Sequence, residues 1–132
     1  MIAPGRPTRS FLLALAFLLA NGSGIAQAGE PVKLTGPEIK ALFDGNSVDG
    51  MWGQHHYRSY FDPGGQTIYQ EEGRPPQEGR WHVSDTQYCS RWEPGGTTCY
   101  DIYRDGEQII WVSPDSGNRY GSVLMQGKAV PW

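Results

Sequence analysis

From Ser47 to Trp132 the chain alternates short runs of aromatic and β-branched residues with clusters of Gly, Pro, Asn and Asp. The clusters are Asp62-Pro63-Gly64-Gly65, Gly73-Arg74-Pro75-Pro76, Ser84-Asp85, Glu93-Pro94-Gly95-Gly96, Asp105-Gly106 and Pro114-Asp115-Ser116-Gly117-Asn118. Such close punctuation leaves no room for a long helix and is the signature of successive strands joined by tight turns. The spacing predicts strands over about 47–53, 56–62, 66–72, 78–84, 86–92, 97–104, 107–113 and 119–126.

Short connections make sequential strands antiparallel neighbours, and eight is a number at which a sheet can close on itself and lose its edges. The expected fold is therefore all-β with one short N-terminal helix. It is an eight-stranded antiparallel meander forming a small lipocalin-like barrel or a curled sheet, with a two-sheet β-sandwich as the alternative. Alternation along the strands puts Trp81, Val83, Tyr88, Trp92, Tyr100, Ile102, Ile109 and Trp111 on the inner face, subject to register.

Asp105-Gly106 predicts a type I′ hairpin turn, since that dipeptide best tolerates two successive positive φ values. Folding the preceding hairpin symmetrically about Pro94 sets Cys89 opposite Cys99. Cysteines facing each other across an antiparallel pair meet the geometry of a bridge. Their spacing does not suit a redox pair, so a structural disulfide is expected.

At the start of the chain, Arg6 and Arg9 precede an apolar run from Phe11 to Ala20, and Ala26-Gln27-Ala28 offers a small-x-small cleavage site. The run is too short to span a bilayer. The expectation is a signal peptide over 1–28, cleaved after Ala28, and a single periplasmic or secreted domain over 29–132 with no transmembrane segment. Thr35-Gly36-Pro37-Glu38 has the form of a capping box, and Ile39, Leu42 and Phe43 form one apolar stripe. A helix over about 36–44 follows, plugging one end of the barrel or lying across its seam.

Nine Lys and Arg stand against fourteen Asp and Glu in 29–132, a net charge of −5, which disfavours nucleic acid and anionic lipid as partners. His55 and His56 are adjacent and point to opposite faces of a strand, so they do not converge on a metal. No nucleophile elbow or cofactor motif is present, so no catalytic residue, metal or cofactor is assigned. Arg91 holds a carboxylate or phosphate if it faces a cavity; facing out, it is a solvated residue or an ion-pair partner of Asp101. With it, Trp81, Trp92, Tyr100 and Trp111 are the candidate ligand-facing residues.

The segment Leu34 to Asn46, of the form LxxxEIxxLFxGN, followed by Gly79-Arg80-Trp81, Cys89 to Trp92 and Cys99-Tyr100, resembles small secreted proteobacterial domains of unknown function. The resemblance stops at Gly127. It implies an all-β periplasmic domain and no particular activity. The leading expectation is a non-enzymatic module that binds a small molecule or an envelope protein. The alternatives are a small hydrolase or lyase using a His and a carboxylate in a barrel pocket, and an inhibitor of a partner protein.

Overall fold

The computed structural model describes residues 29–132; the expected signal segment lies outside them. Thr35 begins the helix as its N-cap. The backbone N–H of Glu38 donates to Thr35 Oγ1 at 3.4 Å, and the N–H of Thr35 donates to Glu38 Oε2 at 2.8 Å, completing the capping box. The helix α1 runs from Gly36 to Phe43, with Pro37 in its first turn where a missing N–H is harmless. Gly45, at φ +75°, turns the chain back toward the first barrel strand.

Before the helix lies a two-residue strand, β1 (Val32–Lys33). After it come β2 (Ser47–Trp52), β3 (His55–Phe61), β4 (Gln66–Glu71), β5 (Gln77–Val83), β6 (Tyr88–Trp92), β7 (Gly96–Asp105), β8 (Gln108–Val112) and β9 (Arg119–Met125). Strands β2 to β9 pair antiparallel in chain order, and β9 pairs back onto β2 from Ser47↔Met125 to Gly50↔Ser122. The result is a closed eight-stranded antiparallel barrel, which excludes the sandwich alternative. The ninth strand, β1, adds outside the closed ring. Strand β7 pairs with β6 through Gly96–Tyr100 and with β8 through Asp101–Asp105. The edge that β6 leaves on its second half is taken by β1, with Lys33 opposite Tyr103. This covers backbone donors and acceptors that would otherwise form an open edge.

Trp92 pairs with Gly96 and Cys89 with Cys99, as symmetry about Pro94 predicts, and the two cysteines form a disulfide with Cα atoms 4.1 Å apart. The bridge lies on the outer wall, since the neighbouring Tyr88 and Ser90 point inward. The β7–β8 hairpin departs from its sequence reading. Asp105 pairs with Gln108, leaving Gly106-Glu107 as the turn, with Gly106 at φ +61° and no positive φ at any non-glycine residue. This is a type II′ arrangement, which needs a positive φ only at its first residue and so spares Asp105 that strain. The shift moves the pairing by two residues, so the inward face is unchanged: Ile102 lies opposite Trp111 and both are buried.

The helix closes one end of the barrel. Ile39 and Phe43 are fully buried, and the Phe43 ring stacks on Phe61 at a centroid distance of 4.5 Å. Trp81, Tyr88 and Trp111 surround it at 5.4 to 6.4 Å. Offset and edge-on rings at these separations are the favourable arrangements for aromatic quadrupoles. The helix sits close because Gly36 meets the β5–β6 connection directly: its N–H donates to the Asp85 carbonyl at 2.7 Å. The chain after β9 straps the outer wall. Ser47 Oγ donates to the Gly127 carbonyl and accepts from the Ala129 N–H, while Val130 is buried and Trp132 N–H donates to Gln70 Oε1 at 2.8 Å.

Candidate functional site

The end of the barrel away from the helix is hollow. Inward-facing residues of β2, β3 and β4 place Trp52, Tyr57, Ser59 and Tyr69 on one side of it. From β6 and β7 come Ser90, Trp92 and Tyr100 on the other side. Phe61, Tyr88 and Trp111, the upper faces of the helix-end cluster, form the floor. The space holds about 140 Å³ and opens to solvent beside Trp52, which is 43 % exposed and stacks on Tyr120 at 4.4 Å.

One glycine shapes the wall. Gly79 on β5 points inward between the ends of β4 and β6, and a Cβ there would stand 2.7 Å from Trp92 Cε3 and 2.8 Å from the Arg91 carbonyl. The missing side chain is the space in which the Trp92 indole lies, with its Nε1–H donating to Ser90 Oγ at 3.2 Å.

Three of the lining side chains are bonded within the protein. Tyr69 O–H donates to Glu71 Oε1 at 3.1 Å, Trp111 Nε1–H donates to Ser122 Oγ at 2.9 Å, and Trp92 donates to Ser90 as above. Burial pushes the Tyr57 phenol up to about 12. Burial likewise raises Tyr88 and Tyr100, and burial followed by the bond to Glu71 raises Tyr69. All four are neutral at physiological pH. Among the described residues, no Lys, Arg, Asp or Glu lines the cavity. Two residues along β4 from Tyr69, on the same face of the strand and opposite Tyr57, Glu71 Oε2 is buried without a hydrogen-bond partner among the described residues. Arg74 Nε lies 3.3 Å from that oxygen and His55 Nδ1 3.8 Å.

Of the residues that sequence reasoning put forward, Trp92, Tyr100 and Trp111 line the cavity. Trp81 does not: it is buried on the helix side, its Nε1–H spent on the Asp62 carbonyl at 2.9 Å. Arg91 shares the outward parity of Cys89 and is exposed, with Nε donating to Glu93 Oε1 at 2.9 Å. Of its two outward-facing alternatives, the solvated residue is the nearer: the register sets Arg91 opposite Thr97, not within reach of an ion pair with Asp101. Asp101 instead meets Lys33 of β1 at 3.3 Å and accepts from Gln87. Trp52, Tyr57 and Tyr69 were missed, although the alternation that gave Trp92 and Tyr100, applied to β2 through β4, selects them.

The histidines stand apart from the cavity lining. His82 is exposed on the outer face of β5. His56 is on the outer wall with Nε2 2.7 Å from Asp49 Oδ1 and Nδ1 3.2 Å from Glu72 Oε2, while Arg58 Nε donates to Asp49 Oδ2 at 2.8 Å. The hydrogen bond to Asp49, against the cost of burial and assisted by Glu72, raises the imidazole above its ordinary value. Burial works to raise Asp49, but its bonds from Arg58 and His56 outweigh that and hold it below the usual carboxylate range. With both ring nitrogens taken by carboxylates, His56 has none left to move a substrate proton. The edge of Trp132 packs on this node: its ring lies 4.6 Å from His56 and 4.3 Å from the Arg58 guanidinium.

These features define a closed antiparallel barrel, plugged by a helix at one end and open through an aromatic cavity at the other. No protein-family model, curated protein or solved structure matches the chain.

Proposed function

We propose that this protein is an exported, non-enzymatic binding module that takes one compact, weakly hydrated group of a small amphipathic molecule into the mouth of its barrel. The observation that carries the reading is the unequal filling of the two ends. Helix α1 and five buried rings occupy one end, while the other keeps about 140 Å³ empty between aromatic walls. A small concave site with mostly apolar walls and few convergent polar groups is the ordinary form of a ligand site. The volume is well under the roughly 300–1,000 Å³ of sites for drug-sized molecules, so the cavity suits one compact group and leaves the rest of the guest in solvent. Export is supported by Arg6, Arg9, the Phe11–Ala20 run and the Ala26-Gln27-Ala28 site, and periplasmic or secreted residence agrees with a disulfide-bonded domain.

Native mass spectrometry of protein isolated from the periplasm, followed by the same measurement after mild denaturation, tests the reading. The expected result is a retained adduct of low mass that leaves on denaturation and whose return shifts the amide resonances of Trp52, Tyr69 and Trp92. A protein without adduct, whose mouth resonances respond to no small molecule, would contradict it.

A further inference from the structure

We infer that the group this cavity takes is a quaternary alkylammonium head, a deepening that rests on the binding reading above. The lining excludes other guests by its chemistry. A carboxylate or phosphate needs a cationic partner, and among the described residues no Lys or Arg lines the cavity. A sugar ring is held mainly by directional hydrogen bonds, and two of the donors on the lining rings, Tyr69 O–H and Trp92 Nε1–H, are already spent within the protein. What remains on offer is the negative face of aromatic rings, and the guest that gains most from such faces is a cation with no N–H bonds to satisfy.

The lining rings pack against one another: Tyr57 and Tyr69 lie within 29° of parallel at 5.3 Å, Trp92 stands at 72° to Tyr69, and Tyr100 stands at 87° to Trp111. The space, about 140 Å³, is small and suits one compact group of a few heavy atoms, such as a trimethylammonium head. The surrounding charge has the matching sign. Glu71 stands one hydrogen bond from Tyr69 with a buried, unbonded oxygen, although Arg74 offsets part of its charge from the solvent side. Residues 29–132 carry a net charge of −5, which favours cations over anions around the domain.

Choline and 3,3-dimethylbutan-1-ol share one shape and differ in the central atom, nitrogen against carbon, hence in charge. Each is titrated into the full mature protein at matched ionic strength, with amide shifts at Trp52, Tyr69 and Trp92 as the readout. Choline is expected to bind about tenfold or more tightly than the alcohol, since each desolvated ring contributes appreciably to holding a cation. Trp52→Leu, at the exposed rim, is expected to narrow that ratio several-fold with an unchanged fold, checked by its remote amide shifts. Equal binding of the two compounds overturns the alkylammonium inference and leaves the cavity as a shape-selective apolar site. Binding of the alcohol alone also overturns the inference and retains the cavity reading. Failure of both to shift any mouth resonance overturns both.

Discussion

Gly79 and His56 are the residues whose substitution reports most sharply on local physics. Gly79→Ala places a methyl group against the Trp92 indole and the Arg91 carbonyl, so the ring must leave its bed. Overpacking of this kind costs about 1–3 kcal/mol. Thermal denaturation is expected to show that loss together with a change in tryptophan emission; an unchanged emission spectrum would mean that Gly79 does not set the indole. Gly36→Ala drives a methyl into the Ser84 carbonyl and is expected to be the more damaging, because backbone cannot swing aside as a side chain can. For His56 the raised imidazole fixes the sign of the pH dependence. A group whose folded-state pKa exceeds its unfolded value contributes stability fully below the unfolded value, near 6.5, and loses it as pH rises through the folded one. The urea midpoint of the native protein should therefore exceed that of His56→Gln at about pH 5.5, and the gap should close by about pH 9. Asp49, held low, works in the opposite window: its contribution is present above the usual carboxyl range near 3.8 and lost as pH falls through its depressed value. A gap between native protein and His56→Gln that widens toward alkaline pH would contradict the two-carboxylate setting of His56.

Helix α1 and the β6–β7 hairpin are the elements on which closure depends. Phe43→Ala empties the centre of a cluster of five rings and is expected to cost about 3–5 kcal/mol, a large share of the roughly 5–15 kcal/mol that holds an ordinary domain folded. The disulfide closes a loop between residues ten apart and contributes roughly 2.5–3 kcal/mol on the chain-entropy model, so Cys89→Ala/Cys99→Ala should lower the urea midpoint without changing the barrel's circular dichroism. The eight barrel strands and the helix were legible because each is bounded by turn residues or a cap whose chemistry acts within a few positions. Strand β1 was not, since two residues carry no period and its pairing exists only because β7 changes partner halfway. The strap from Gly127 to Trp132 was illegible for a related reason. It is held by Asn46, Ser47 and Gln70, more than sixty positions away, through bonds that leave no local pattern.

The molecule as a whole is a ring of strands with one stopper. Alternation identified Trp92, Tyr100 and Trp111 as inward-facing, but nothing in a strand's own sequence distinguishes Trp92 at the open end from Trp81 at the closed one. That distinction arises only when the helix docks, because the end that receives Phe43 becomes core and the end left over becomes a site. Arg91, two residues from Cys89, has no part in the cavity for a different reason: strand alternation puts it on the outer face. Nuclear Overhauser spectroscopy of the isotopically labelled mature protein tests this arrangement most directly. The account predicts contacts from the Phe43 ring to Phe61, Tyr88 and Trp111, none from Phe43 to Tyr69 or Trp92, and cross-strand contacts between Asp49 and Val123 where β9 closes onto β2. Contacts from Phe43 to Trp92, or an absence of those between Asp49 and Val123, would contradict a closed barrel with its hollow end away from the helix.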